Sequence, residues 1–160
     1  MVTVQLEADE IDEILRTAGS GVLSLCNGTE TYAVPESFGY DGDVLYFQLV
    51  HDDDSEKMAF IETTDAATFT VYDESPAESV IVRGPIETVP EDDRAVAMNA
   101  IAENAAIPTL NVSPTAALDD LSMNLYQLRP ADVSGRAFGN RRDAAENGRR
   151  SARNGGQASP

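Results

Sequence analysis

The sequence predicts a mainly β domain of the α+β type, with about six short strands curled into a small closed or nearly closed antiparallel barrel and two or three flanking helices. Three observations carry this. Short apolar and β-branched runs recur along the chain, separated by turn signals such as Asn27-Gly28. Helical spacing of apolar residues is confined to a few stretches. At 160 residues the chain is long enough to bury one real core.

Leu6, Ile11, Ile14, Leu15 and Ala18 mark one face of a first helix over roughly residues 8–18, with acids early and Arg16 late. Gly19-Ser20-Gly21 ends it, and Val22–Cys26 reads as a strand. Asn27-Gly28 then turns the chain into a return strand from Thr31, where Pro35 implies an edge, a bulge or a strand end. Gly39–Asp43 is a second turn, and Val44–Val50 a third strand. His51–Asp54 is a loop, and Ser55 is placed to cap a short helix carrying Met58, Phe60 and Ile61. Ala67–Tyr72 is a strand and Asp73–Glu78 a loop. Ser79–Val89 is a long strand with a bend at Gly84-Pro85. Pro90 and three acids open another helix, an irregular connection covers residues 105–121, and Met123–Leu128 alternates as a last strand. The domain is expected to span residues 1–138. Residues 139–160, rich in Arg and Gly, are expected to be a disordered tail.

The charge is unusual. The chain carries 28 acidic and 11 basic residues, a net −17, and Lys57 is its single lysine. Residues 1–140 hold 26 acidic and 6 basic residues, or −20, whereas residues 141–160 hold five arginines against two acids, or +3. Scarce lysine with abundant Asp, Glu, Ala and Val reads as adaptation to molar salt, the composition of an extreme halophile. At about 1 M salt the Debye length is only ~3 Å, so a strongly negative surface is screened. Such a body repels phosphates and is a poor nucleic-acid binder. No secretory leader or membrane-length apolar run is evident, so a cytoplasmic protein is expected. The lone Cys26, in an apolar strand, reads as a buried structural thiol.

Several chemistries lack their motifs. No GxGxxG follows a strand, no GxxxxGK[ST] is present, and neither CxxC nor HExxH occurs, so no metal site is expected. His51 beside three aspartates reads as a solvated loop. One cysteine and one histidine, far apart, make a poor thiol catalyst. Lys57 stands out instead. It falls in the first turn of the helix after Ser55, where an ammonium, a hydroxyl and free helix N–H groups suit a phosphate.

An ordered set of segments carries a resemblance: Gly21-Val-Leu-Ser-Leu, Tyr32-Ala-Val-Pro-Glu-Ser-Phe-Gly-Tyr40, Val44-Leu-Tyr-Phe47, Ser55-Glu-Lys57, Thr70-Val-Tyr72 and Val80-Ile-Val-Arg-Gly84. In this order they resemble the FMN-binding split β-barrel family related to pyridoxamine 5′-phosphate oxidase. The resemblance covers about residues 5–135. It implies a six-stranded antiparallel split β-barrel with flanking helices, a homodimer, and FMN at the subunit interface. It further implies that Pro35, Glu36 and Ser37 lie along the isoalloxazine ring and that Tyr46 and Phe47 help form the pocket. Ser55 and Lys57 would hold the phosphate, with Thr70 and Tyr72 in the same pocket. Glu56 stands where the family frequently has arginine, Gln48 where many members have histidine, and Tyr126 in place of a common late tryptophan. The substrate signature of the true pyridoxamine phosphate oxidases is not matched.

The implied function is an FMN-dependent oxidoreductase acting on a small-molecule substrate or electron donor, with no catalytic side chain assigned. The alternatives are a non-catalytic flavin carrier or sensor, a cofactor-free split barrel, and a deazaflavin- or haem-binding relative. The charge reading makes its own prediction. Lowering salt from about 1 M to about 0.1 M lengthens the screening distance from ~3 Å to ~10 Å. Melting temperatures should fall steadily across that range, and an unchanged melt would refute halophilic adaptation.

Overall fold

The computed structural model describes residues 2–51, 55–104 and 122–139. The expectations for Asp52–Asp54, for the 105–121 connection and for the segment from residue 140 lie outside the described residues. Strand β1 (Thr3–Gln5) precedes helix α1 (Ala8–Thr17), and β2 (Ser20–Cys26) and β3 (Thr31–Ser37) form a hairpin. The two-residue β4 (Gly39–Tyr40) leads to β5 (Leu45–His51), helix α2 (Glu56–Thr63), β6 (Ala66–Glu74) and β7 (Ala77–Thr88). A 3-10 turn, Glu91–Asp93, feeds α3 (Arg94–Asn104), and β8 (Ser122–Leu128) and β9 (Asp132–Phe138) follow.

The strands are antiparallel neighbours in the order β3-β2-β6-β7-β8-β5-β4, with β9 pairing both β7 and β1. The sheet curls, so β3 also lies against β5. This is a split β-barrel with flanking helices. Among the described residues it has nine strands rather than six, because β1, β4 and β9 join the longer ones. Pro35 sits opposite Val22 inside β3, an edge strand whose outer side needs no proline N–H.

The long strand β7 makes the split. Up to Pro85 it pairs with β6, residues 78–83 pair with β9, and from Ile86 it pairs with β8. The expected bend at Gly84-Pro85 is therefore where the strand changes partners. The β8–β9 connection crosses there, with Ala131 N–H donating to the Arg83 carbonyl at 2.8 Å and Arg129 N–H to that of Pro85 at 3.1 Å. A Cβ on Gly84 would collide with the Arg129 carbonyl, so only glycine permits the crossing.

Phe69 anchors the core, with Phe38 and Phe47 edge-on to it at centroid distances of 4.9 and 5.1 Å. Leu23, Leu25, Leu45, Leu49, Val80, Val82 and Leu128 complete its fully buried centre. A second cluster, Val44, Tyr46, Val89, Ala97 and Ala100, seats α3 on the other side of β5.

Three local expectations are corrected. Asp73–Glu78 is not a loop: β6 and β7 extend to a tight turn at Ser75-Pro76. There the Asp73 carboxylate accepts the Glu74 and Ser75 N–H groups at 2.7 and 3.2 Å, so the turn satisfies its own amides. Met123–Leu128 is not the last strand: β9, Asp132–Phe138, follows it. Cys26 is half-exposed at its strand end rather than buried, its sulfur accepting the Gly28 N–H at 3.3 Å.

Helix α1 is clasped to β4. Asp12 accepts both the Tyr40 hydroxyl at 2.9 Å and Arg16 Nε at 2.8 Å, while Arg16 lies over the Tyr40 ring. Burial, then the Asp12 bond, pushes the Tyr40 phenol up to about 12. Tyr46 is also raised, by burial and then by its bond to Asp41. An unfolded tyrosine ionises near about pH 10, so this stabilisation is complete below about pH 10 and lost as pH rises through about 12. Melts across that range should show the loss, and Tyr40→Phe should show a shallower one. Identical slopes would mean that the clasp does not titrate.

Candidate functional site

Strand alternation sends Leu23, Val34, Phe69 and Val71 into the core and their neighbours to the outer face. Register aligns those neighbours in rows. Pro35 is opposite Val22, Val22 opposite Thr70, and Thr70 opposite Ile81. One step along, Ser37 is opposite Ser20, and Tyr72 opposite Ser79. Tyr72 is 66% exposed. A groove of about 530 Å³ opens on this face, lined by Ser20, Gly21, Val22, Pro35, Tyr72, Asp73 and Glu74. The outward positions of β2, β3 and β6 between Ala66 and Tyr72 carry no acid, although the chain has 28. The acids Asp73 and Glu74 enter only at the strand end.

Gly21 shapes the groove from behind. A Cβ there would lie 2.6 Å from both Phe69 Cζ and the Thr70 carbonyl oxygen. The Phe69 ring fills the space a side chain would take, and Gly21 contributes bare backbone.

Across the ladder from Gly21 stands Glu36, and its side chain points inward. It is 1% exposed, and Lys57, in the first turn of α2, is 2% exposed. Lys57 Nζ donates to Glu36 Oε1 at 3.3 Å. The only lysine is thus ion-paired behind the sheet that floors the groove. Tyr32, on the same inward face of β3, stacks on Phe60 of α2 at 5.4 Å. Its phenol is raised by burial and then by the charges of Glu56 and Glu36.

The expected site residues therefore divide. Pro35, Thr70 and Tyr72 share one outer face, with Ser37 half-buried beside them. Glu36 and Lys57 meet on the opposite side of that sheet. Ser55 is the N-cap of α2 in extended backbone, but its side chain makes no capping bond. Phe47 lies in the barrel core, and Tyr46 lies under α3, donating to Asp41 at 2.8 Å. Within one chain these two aromatics face away from the groove. Ser20, Gly21, Val22 and Tyr32 were not among the expected site residues. Their signal was position: the first three pair with Ser37, Glu36 and Pro35, and Tyr32 shares an inward face with Glu36.

A second hollow, about 690 Å³, lies between α1, β4 and β9 and is lined by Leu6, Ile11, Leu15 and Val133 with Asp9, Asp12 and Asp43. Asp12 there is engaged with Tyr40 and Arg16. No group of three His, Cys, Asp or Glu side chains among the described residues is arranged to hold a metal. No helix among them is long and apolar enough to cross a membrane.

A family model described as pyridoxamine 5′-phosphate oxidase matches residues 7–137. None of the curated proteins compared with the chain matches it significantly. Among solved structures, an FAD-binding protein from Mesorhizobium loti superposes with a TM-score of 0.66 at 20% identity, covering 87% of this chain and 100% of that one. The FAD-binding protein from Mycobacterium smegmatis gives 0.62 at 21% identity, covering 85% and 100%. A conserved protein of unknown function from Corynebacterium diphtheriae gives 0.62 at 21%, covering 86% and 98%.

The ion pair generates a stability prediction. Lys57→Met leaves a buried carboxylate without its cation and should cost about 3–5 kcal/mol, whereas Glu36→Gln with Lys57→Met removes both charges and should cost far less. Urea unfolding of the three proteins decides it. A double variant no more stable than Lys57→Met would show that the pair is not coupled.

Proposed function

Because this chain belongs to the pyridoxamine 5′-phosphate oxidase family, we propose that it is a flavoprotein whose flavin ring lies in the groove on the outer face of β2, β3 and β6. The observation that carries this reading is the groove with the outer face that floors it: on a chain of net charge −17, Ser20, Val22, Pro35, Thr70 and Tyr72 form a surface without acids, and Asp73 and Glu74 line the groove only at one end. Its volume suits a planar heteroaromatic ligand. Tyr72 offers a ring for stacking, and the proline and valine offer flat apolar contact. The names of the two FAD-binding neighbours support flavin as the ligand class.

We assign FMN as the flavin. The residues suit the ring directly. For the phosphate, Lys57 has the right charge at the N-terminal turn of α2, but it is buried and paired with Glu36 on the opposite side of the sheet from the groove. When bound, the flavin supplies the redox chemistry; the chain's residues bind and orient it. The titratable side chains of the groove are Tyr72, Asp73 and Glu74. The proposed activity is oxidation or reduction of a small molecule.

A second copy of the chain completes the site in this reading. Tyr72, Ile81 and Phe138 are exposed on the outer face of the β6-β7-β9 sheet, beside the groove, and a twofold partner would cover them. A second reading, a barrel that carries flavin without turnover or has lost it, draws on one observation, the engagement of Lys57 by Glu36.

Protein purified in high salt should show flavin absorption, or acquire it on adding FMN, and should sediment as a dimer. Tyr72→Ala should weaken flavin binding about two- to tenfold, the worth of one aromatic contact. Turnover with a reduced nicotinamide separates an enzyme from a carrier. A flat spectrum that added flavin does not change would refute the reading, and a stable monomer would remove the interfacial site.

A further inference from the structure

We propose that the hollow between α1, β4 and β9 is a second ligand site, for an organic cation with an apolar body, such as a protonated alkyl or aryl amine. The hollow shares no lining residue with the groove, so the inference stands apart from the flavin reading.

The floor is apolar. Ile11 and Leu15 are four residues apart, fall on one face of α1, and line the hollow together with Leu6 and Val133. Leu6 and Leu15 are buried, whereas Val133 is 39% exposed. At about 690 Å³ the hollow falls within the range of small-molecule pockets, roughly 300–1,000 Å³.

The rim is acidic and has no base of its own. Asp9, Asp12 and Asp43 line it, and no lysine, arginine or histidine does. Arg16 already balances Asp12, its Nε donating to the carboxylate at 2.8 Å, and the Tyr40 hydroxyl donates there too, at 2.9 Å. Asp9 and Asp43 form no ion pair among the described residues. The turn before Asp43 is held by Asp41, whose Oδ1 accepts the Asp43 and Val44 N–H groups at 2.9 and 2.8 Å. Two carboxylates without a cation therefore stand over an apolar floor.

That combination selects by charge. A ligand that covers the floor draws water away from the rim. A neutral ligand then leaves the carboxylates poorly solvated, and an anion is repelled. An ammonium pairs with them while its apolar body fills the floor. No group of three His, Cys, Asp or Glu side chains among the described residues is arranged for a metal ion, which leaves an organic cation.

Three probes that share a ring and differ in charge test this: 2-phenylethylammonium, 2-phenylethanol and phenylacetate. Each is titrated into the full chain at the lowest salt that keeps it folded, following the amide signals of Asp9, Gly42 and Val133. The ammonium should bind about three- to tenfold more tightly than the alcohol, and phenylacetate most weakly. Asp9→Asn with Asp43→Asn should abolish the preference and leave the alcohol's affinity unchanged. Glu62→Gln with Glu103→Gln removes as many charges from exposed positions outside the hollow and should keep it. FMN should not displace the ammonium. Equal affinity of wild type for ammonium and alcohol would overturn the site, as would binding of neither. So would a preference that survives loss of Asp9 and Asp43, an equal loss in the Glu62 and Glu103 control, or displacement by FMN. Should the Asp9 and Asp43 variant fail to fold, Val133→Arg decides. It places a fixed cation at the floor and should weaken ammonium binding about tenfold or more, and an unchanged affinity would overturn the site.

Discussion

A β-strand can only alternate, and in β2, β3 and β6 that constraint decides both faces of the sheet at once. Once Leu23, Val34 and Phe69 point into the barrel, Val22, Pro35 and Thr70 must line up outside it. The same rule turns Glu36 inward, where a carboxylate needs a cation. Lys57, delivered by the first turn of α2, meets it there. Core, groove and ion pair are therefore three results of one register. A one-residue slip of β3 would bury Pro35 and expose Glu36 to the groove.

The charge distribution reinforces this geometry. In a body so rich in carboxylates, a patch without them is informative because it has escaped a strong compositional bias. On the outer face the row from Pro35 to Ile81 is such a patch, and the acids Asp73 and Glu74 return at its end. Burial of a charged pair contributes little net stability by itself.

Much of the fold was legible in the residues. The Asn27-Gly28 turn, the edge position of Pro35 and the bend at Gly84-Pro85 each follow from backbone chemistry that leaves few options. The missed strands share a physical reason. In β9 the inward positions are Val133, Gly135 and Ala137, one apolar side chain of size and two too small to give an apolar period, and β1 is exposed throughout. They exist because β7 and β9 offer them open hydrogen bonds, which is a tertiary fact. The site was legible in part for the same reason. Pro35, Thr70 and Tyr72 stand in separate segments, and only the ladder unites them. That Lys57 faces Glu36 follows from packing α2 on the barrel, which no local pattern encodes.

The central claim is that the outer face of β2, β3 and β6 holds the flavin. The most direct test places one charge there. Val22→Asp puts a carboxylate in the middle of the groove, on a half-buried outward position that the core does not touch. Titrating FMN into wild type and this variant, with melting temperatures recorded for both, isolates the face. The account predicts saturable binding by wild type and a loss of about tenfold or more in the variant at little change in stability, since the ring would have to desolvate the carboxylate beneath it and the phosphate would be repelled by it. Equal FMN affinity in two equally stable proteins would contradict it and move the ligand to another surface.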